Sequence, residues 1–271
     1  MFRVIGVGKI GCSVANHFAD LPQYDVTLLN EESLGTFSNM EECEKKVDVK
    51  KFSAIARRFR KGEEALIITD GADSLNGCLL LLGQKISKCK ISFLHICPDL
   101  SFSTITEATN NKITLGVLQE MTRSGLFERF YVVSAEEIEK HVENVALNEI
   151  EDKTSELLFG MFSMLIYFDH TTPVRSNYES TKIAVRIGTV GYFDENREEH
   201  PLFDLGNIKE RIYYYGIPEE DFNTQELKNI KEHQIALNQR ENNSFFKAFS
   251  LSGTQTHRYF VHLTDIPHIS N

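Results

Sequence analysis

Residues 4–18, "VIGVGKIGCSVANHF", combine a short apolar run, three glycines and a helix-like continuation. A strand, a glycine loop and a helix in this order bind a phosphate in many nucleotide-binding proteins, because backbone N–H groups at the start of the helix face the anion. The spacing of Gly6, Gly8 and Gly11 fits the pattern G-x-G-x-x-G. The stretch therefore predicts a phosphate loop after the first strand, although such glycines can also serve only to pack the helix against the strand.

Composition places the chain among ordinary globular proteins. Its 271 residues are 41% hydrophobic and 25% charged, and they suffice for one large domain or two smaller ones. The five cysteines have no metal-ligand spacing, which favours reduced intracellular thiols. The sequence shows no signal-peptide pattern and no apolar run of roughly 18 residues, so we expect a cytoplasmic protein without a membrane span.

The charge distribution argues against a general nucleic-acid binder, because the formal net charge is −10 and phosphate contacts need clustered cations. One basic run, "KKFSAIARRFRKG" at 50–62, has its apolar residues at positions 52, 55, 56 and 59. This spacing predicts an amphipathic helix that ends at Gly62 and turns its cations to solvent. We interpret the run as a solvated face rather than a nucleic-acid surface.

Strands and helices alternate through the first half of the chain. Strand-like segments lie at 2–7, 25–30, 64–70, 90–97 and 127–134, and helical patterns lie at 11–20, 74–87 and 112–124. This alternation predicts a parallel sheet with helices on both faces. Ligands of such sheets bind at the carboxyl ends of the strands, so the loops that follow the first four strands are the candidate site.

The second half differs in character. Residues 149–170 form a long, largely apolar helical pattern, and Pro173 marks its end. Four strand-like segments follow, "KIAVRIGTVGYF", "RIYYYG", "FFKAFSL" and "HRYFVHL", with a polar helix at 224–241, and the turn "SGTQT" predicts that the last two strands form a hairpin. The predicted fold class is α/β, a Rossmann-like parallel sheet with helices on both faces, a long central helix and a smaller C-terminal mixed-sheet domain. Its predicted parts are an α/β domain at 1–148, a connecting helix at 149–172 and an α+β domain at 173–271.

One hypothesis for the glycine loop is a dinucleotide site. The dinucleotide-binding form of the G-x-G-x-x-G motif requires an acidic residue about 20 positions further on, at the end of the second strand. Glu31 is placed for this role. An NAD(P)- or FAD-binding protein would use Gly6, Gly8, Gly11 and Glu31. Such a protein normally continues with a second mononucleotide-binding half, whereas this chain continues with the long helix and the mixed sheet.

The order and spacing of elements from residue 2 to about residue 194 resemble the tubulin/FtsZ superfamily. Residues 4–18 are similar to its first phosphate loop, for which "VIGVGGGGGNAV" is typical. The segment "EALIITDGADSLNGCLLLLGQKI" at 64–86 stands where the superfamily has a strand, a glycine-rich signature loop and a helix. "LLNEESL" at 28–34 is similar to the superfamily's "VNTDAQ" loop, and the long helix that ends at Pro173 is similar to its central helix, which ends in "TRPG". "RSNYES" at 175–180 stands where the catalytic loop would be.

The resemblance implies GTP or GDP as the ligand and a set of residues around it. By position, the implied contacts are Gly6, Gly8, Lys9, Gly11, Cys12, Ser13, Asn30, Asp70, Gly71, Ala72, Asp73, Ser74 and, facing guanine, Glu156. No metal ligands are predicted, unless Mg²⁺ bridges Asp70 or Asp73 to the phosphates and so reverses their repulsion. The implied catalytic residue is Glu179, the one acidic residue of "RSNYES".

The diagnostic motifs of the superfamily are poorly kept. The signature G-G-G-T-G-[ST]-G is replaced by residues 70–77, "DGADSLNG", whose side chains obstruct a phosphate and whose carboxylates repel it. We therefore expect a structural or self-assembling component with weak or no GTP hydrolysis, either a filament protein or part of a larger protein assembly, without a direct nucleic-acid role. An active polymerising GTPase, a dinucleotide-binding protein and a chain that binds no cofactor are the alternatives.

Overall fold

The computed structural model describes residues 1–142, 146, 149–179, 185–240, 243–266 and 269. The chain divides into two compact units, Met1–Phe159 and Gly160–Ile266. The buried Ile269 belongs to the first unit, where its backbone exchanges two hydrogen bonds of 2.8 and 2.9 Å with the side chain of Gln119. The division falls inside the long helix, which the sequence predicted as a separate connecting part.

In the part of the first unit that the structure describes, five parallel strands form a sheet. They are β1 (Phe2–Val7), β2 (Tyr24–Leu29), β3 (Glu64–Asp70), β4 (Lys90–Cys97) and β5 (Arg129–Ser134), in the order β2-β1-β3-β4-β5. β1, β3 and β4 are buried along almost their whole length, as expected for parallel strands covered on both faces. The predicted parallel sheet is confirmed.

Eight α-helices begin among the described residues of this unit. They are α1 (Gly8–His17), α2 (Glu31–Leu34), α3 (Met40–Lys46), α4 (Val49–Arg57), α5 (Leu79–Lys85), α6 (Ile105–Arg123), α7 (Ala135–Glu139) and α8 (Ile150–Asp169), and α8 continues into the second unit. Short 3₁₀ helices follow α1 and precede α5. No helix in the part of the chain that the structure describes is long and apolar enough to cross a membrane.

Helix α4 is amphipathic, as predicted, but it ends earlier than expected. Phe52 is buried while Lys50 and Arg57 are exposed. The helix stops at Arg57 because the next turn tightens and Phe59 enters the core, 3% exposed. Gly62 is therefore not the C-cap, and its N–H donates instead to the carbonyl of Lys88 at 3.0 Å.

The second unit contains a mixed sheet. Its elements are β6 (Arg175–Ser176), β7 (Ile187–Phe193), β8 (Glu199–Pro201), β9 (Glu210–Pro218), α9 (Thr224–Arg240), β10 (Ser244–Leu251) and β11 (His257–Thr264). The strand order is β7-β11-β9-β10-β6, with β8 paired to β7. β9 and β10 are parallel and joined through α9, and the other pairs of this sheet are antiparallel. The first predicted strand of this half begins at 182, and its residues 182–184 lie outside the described part.

The predicted hairpin of the last two strands is wrong. β10 and β11 do not pair with each other, because β9 lies between them and pairs with both. β9 is buried from Ile212 to Pro218, so a central position in the sheet removes more apolar surface from water than an edge position would. Tyr213, Tyr214 and Tyr215 are at most 5% exposed and belong to this core.

Candidate functional site

The loops that follow β1 and β3 meet at the point where the strand order reverses. From β1 the chain passes to β2 on one side and later to β3 on the other, and β1 and β3 are in register with Val7 opposite Thr69. Ligands of open α/β sheets bind in the crevice at such a reversal. Residues 8–13 and 70–74, which the sequence assigned to one site, are therefore brought together.

The start of α1 is hydrogen-bonded to carboxylates of the loop that follows β3, here called the second loop. The residue before the helix, Val7, has no side chain that can cap it. The N–H of Lys9 donates to Oδ2 of Asp73 at 3.2 Å, and the N–H of Ile10 lies 3.5 Å from Oδ2 of Asp70. These amides and the helix dipole favour an anion, and the protein's own carboxylates supply it.

The three loop glycines serve two purposes. A Cβ at Gly6 would lie 2.5 Å from the carbonyl oxygen of Gly11, and a Cβ at Gly11 would lie 2.5 Å from that of Ile68, so both let α1 pack closely on the sheet. Gly8 has φ +77, and a Cβ there would lie 2.6 Å from Oδ2 of Asp73. Gly8 thus allows the turn into α1 and the approach of the carboxylate.

The two carboxylates also organise their own loop. Oδ1 of Asp70 accepts from the N–H of Ala72 at 3.1 Å, and Oδ1 of Asp73 accepts from the N–H of Leu75 at 2.8 Å. Burial raises the pKa of Asp70 to about 6, and the charges of Asp73 and Glu151 add to the rise, while hydrogen bonds from backbone N–H groups oppose it.

Buried asparagines hold the carbonyl groups of this loop. Nδ2 of Asn76 donates to the carbonyl of Asp70 at 2.7 Å, and Nδ2 of Asn110 donates to the carbonyl of Ala72 at 3.0 Å. Both asparagines are at most 5% exposed. The sequence did not point to Asn110, because the helix predicted at 112–124 begins after it, whereas α6 begins at Ile105.

The remainder of the second loop is equally enclosed. A Cβ at Gly71 would lie 2.4 Å from Oδ1 of Asn111, which in turn lies 2.8 Å from Nε2 of His95. The hydroxyl of Ser74 donates to the carbonyl of Phe37 at 3.0 Å. His95 is completely buried, and burial lowers its pKa to about 4, so it is a neutral core histidine.

The first half of α8 packs along α1 through residues four apart. Nζ of Lys9 lies 2.5 Å from Oε2 of Glu151, and Ser155 donates its hydroxyl proton to Oγ of Ser13 at 2.9 Å. One turn further, the ring of Phe159 stacks on His17 with centroids 5.5 Å apart. Sequence reasoning missed Glu151 and Ser155, although their four-residue spacing on a helix is readable.

Glu156 lies off this face of α8. Its carboxylate pairs with Lys153 at 2.7 Å, and its side chain is 61% exposed. The structure therefore does not bring Glu156 to the two loops.

Lys9 is paired with Glu151. The hydrogen bond and the charge of Glu151 raise the pKa of Lys9, whose ammonium group is directed to the carboxylate of Glu151.

Cys12 and Asn30 have structural partners. Burial raises the pKa of Cys12 to about 11, and its thiol donates to the carbonyl of Gly6 at 3.4 Å, so it remains a thiol at neutral pH. Oδ1 of Asn30 accepts from the N–H of Ser33 at 3.0 Å and caps α2. The exposed Glu31 is the first residue of that helix.

The candidate catalytic residue lies in the other unit. Glu179 is exposed and follows β6, whereas the glycine loop and residues 70–74 belong to the first unit. Among the described residues, no group of three or more histidines, cysteines or carboxylates is placed to hold a metal ion.

Comparisons with known proteins define the class of fold. No protein-family model matches the chain, and no curated protein matches it. Solved structures do match it. FtsZ of M. jannaschii, in an empty dimer, has a TM-score of 0.73 at 13% identity, with 97% of this chain and 87% of that chain covered. The chain has a tubulin/FtsZ-like fold.

Two further structures extend this likeness. CetZ2 of Haloferax volcanii, in a GTPγS-bound protofilament, has a TM-score of 0.71 at 11% identity, with 97% of this chain and 94% of that chain covered. TubZ of Bacillus thuringiensis serovar israelensis, in a GTPγS-form protofilament, has a TM-score of 0.71 at 15% identity, with 97% and 86% covered. At these identities the likeness concerns the fold, and the chemistry of the site has to be argued from its residues.

Proposed function

We propose that this chain is a self-assembling structural protein in which the nucleotide site of the tubulin/FtsZ-like fold binds GTP weakly and hydrolyses it slowly or not at all. The observation that carries the proposal is the position of Asp70 and Asp73. Their carboxylates accept hydrogen bonds from the amides that begin α1, where a phosphate group would otherwise bind.

The energetic balance disfavours a phosphate next to these side chains. A carboxylate and a phosphate 4 Å apart repel by about 4 kcal/mol at an effective dielectric constant of 20. The dipole of α1 offsets only about 0.3–1 kcal/mol of this repulsion. Because the pKa of Asp70 is about 6, its carboxyl group is largely ionised at pH 7. Mg²⁺ between a carboxylate and a phosphate would reverse the sign, and any test must therefore include it.

An apolar loop at the same edge of the sheet supports self-association. The connection from β4 to α6 exposes Leu100 by 44%, Phe102 by 89% and Ile105 by 88%. β1, β3 and β4 are parallel, so this loop leaves the sheet at the same edge as the glycine loop. Exposed apolar groups of this size mark contact surfaces. A dimer and protofilaments among the fold's neighbours make a second copy of this chain the favoured partner.

Assembly is tested by sedimentation of the purified full-length chain without nucleotide, with GTP, and with GTP and Mg²⁺. We expect the same pelleted fraction in all three conditions. Phe102→Asp should abolish pelleting, whereas Val49→Asp, a matched change at a side chain that is 48% exposed on α4, should not. Pelleting only with GTP and Mg²⁺ would contradict the proposal and favour an active polymerising GTPase.

Nucleotide binding is tested by titration with a fluorescent GTP analogue, with and without Mg²⁺. Removing both charges in Asp70→Asn/Asp73→Asn should tighten binding by about 10²–10³-fold, since about 4 kcal/mol of repulsion corresponds to nearly three decades. Micromolar binding and turnover by the unchanged chain would refute the proposal, and loss of that turnover in Glu179→Gln would identify Glu179 as its catalytic residue. Stabilisation by NAD, NADP or FAD that disappears in Glu31→Gln would favour the dinucleotide hypothesis.

A further inference from the structure

The second unit contains a cavity of about 600 Å³ that the proposed function does not use. It lies between the turn from β7 to β8, the start of β9, the second half of α9 and the start of β10. Its lining includes Arg197, Glu199, Arg211, His233, Leu237 and Ser244. Pockets that bind small molecules commonly have volumes of about 300–1,000 Å³ and a few convergent polar groups.

His233 offers a proton donor to this cavity. Its side chain is 4% exposed and lines the cavity, and Nδ1 lies 2.6 Å from the hydroxyl of Tyr215. That hydroxyl accepts from Nε2 of Gln234 at 3.4 Å, so its own proton is directed to Nδ1 of His233. Burial lowers the pKa of His233 to about 4, and the neutral ring therefore carries its proton on Nε2. Nε2 has no hydrogen-bond partner among the described residues.

Ser244 provides a second uncommitted group. The residue is 4% exposed, and within the described part of the chain its Oγ has no hydrogen-bond partner. Buried hydroxyl groups of proteins are nearly always hydrogen-bonded, either to the protein or to something bound in it. A buried hydroxyl and a buried imidazole N–H that line one cavity point to a bound molecule with acceptor atoms.

Four charged residues line the cavity, Arg197 and Arg211 together with Glu198 and Glu199. The carboxylate of Glu199 is already engaged, since the hydroxyl of Tyr213 donates to Oε1 at 2.5 Å and Nε2 of His262 lies 3.3 Å from Oε2. Arg197 donates one N–H to the carbonyl of Asn229 at 3.3 Å and has further N–H groups available. The two buried donors, Oγ of Ser244 and Nε2 of His233, together with the exposed guanidinium group of Arg197, therefore favour a ligand that carries acceptor atoms.

We propose that this cavity binds a small organic or inorganic oxyanion, whose oxygens accept from Oγ of Ser244 and Nε2 of His233. The guanidinium group of Arg197 would balance its charge, and Leu237 would contact its apolar part. The shared chemistry is that of a carboxylate or a phosphate. This site is independent of the glycine loop, because every residue that forms it belongs to the second unit.

The test is a titration of the full-length chain with inorganic phosphate, with citrate and, as an uncharged comparison, with glycerol. Isothermal calorimetry gives the affinity, and ¹H–¹⁵N NMR spectra locate the perturbed amides. We expect saturable binding of at least one anion, perturbations centred on His233 and Ser244, and no saturable binding of glycerol. A preference for citrate would identify a carboxylate ligand, and a preference for phosphate would identify a phosphate ligand.

Two variants separate ligand binding from folding. Ser244→Ala removes a hydroxyl without a protein partner, so the urea midpoint of the free protein should stay the same or rise while Kd increases at least tenfold. Arg197→Gly should also weaken binding at least tenfold, although it relieves a non-glycine φ of +67. The control is Ser250→Ala, on the same strand as Ser244, which should leave Kd unchanged. Absence of saturable binding of both anions, or a Kd that neither variant changes, would overturn the proposal.

Discussion

Replacing Asp70 with Asn tests directly whether this carboxylate is held in an unfavourable site. Asp70 is 7% exposed, and its pKa is raised from 3.8 to about 6 by burial and by the nearby charges of Asp73 and Glu151. In the folded protein the carboxyl group thus keeps its proton over a pH range in which the unfolded chain has lost it. Linkage requires stability to fall as the pH rises through that range, between about 4 and 6.

The rise in pKa from 3.8 to about 6 is worth about 3 kcal/mol, at 1.36 kcal/mol per pH unit. Asp70→Asn removes this term and keeps an oxygen for the N–H of Ala72. It loses the longer acceptor contact with the N–H of Ile10, at a cost of about 0.5–1.5 kcal/mol. We therefore expect the variant to be about 1.5–2.5 kcal/mol more stable than the unchanged chain at pH 7–8, and no more stable than it at pH 4.

The assay is urea unfolding at several pH values between 4 and 8, and the quantity of interest is the difference between the two chains. Other titrating groups contribute to both curves and largely cancel in that difference. Asp20→Asn, at an exposed carboxylate of the same unit, gives the background effect of the substitution. A difference for Asp70→Asn that is the same at pH 4 and pH 8 would refute the assignment of this pH dependence to Asp70.

Three further substitutions test the packing of the site by urea or thermal unfolding. Gly8→Ala should destabilise the first unit by at least about 2 kcal/mol, because its φ is +77 and a carboxylate occupies the position of the new Cβ. The control is Gly62→Ala, which should cost only about 1 kcal/mol because Gly62 has φ +85 but open space around it. Asn111→Ala should cost about 1–3 kcal/mol because it leaves a buried nitrogen of His95 without its partner. Lys9→Ala should cost less than about 1 kcal/mol and less still in high salt, since its ammonium group is 76% exposed; a larger, salt-independent loss would contradict this.

Local patterns were sufficient to predict the sheet of the first unit. Apolar runs such as 64–70 and 90–97 lie between turn residues, and each forms a buried strand close to its predicted bounds. The pairing of the last strands could not be predicted in this way. The turn between β10 and β11 suggests a hairpin, but each of them pairs with β9, which precedes both in the chain and is buried from Ile212 to Pro218.

The sequence predicted that the loops after β1 and β3 are neighbours, but not how they contact each other. The sequence placed Asp70 and Asp73 beside the glycine loop and suggested that they would repel a phosphate or bridge to it through Mg²⁺. That they accept hydrogen bonds from the first turn of α1 depends on the geometry of the turn at Gly8, which spacing alone does not specify. The contribution of Asn110 was likewise not evident, because α6 has a weak apolar pattern and buries several polar side chains.

The proton that Asp70 holds below about pH 6 connects the pH dependence of stability with weak GTP binding. GTP that reaches the start of α1 meets less repulsion when this carboxyl group is neutral, so weak binding should strengthen as the pH falls through about 6. A protonated Asp70 removes one of the two nearby charges, and we expect about tenfold tighter binding at pH 5.5 than at pH 7.5 in the unchanged chain. The γ-phosphate also titrates in this range, and its effect is measured with Asp70→Asn, which should bind tightly at both pH values apart from that common change. If the two chains showed the same pH dependence in the titration with the fluorescent GTP analogue, Asp70 would not control access to α1, and weak binding would have to originate in the enclosed loop around Gly71.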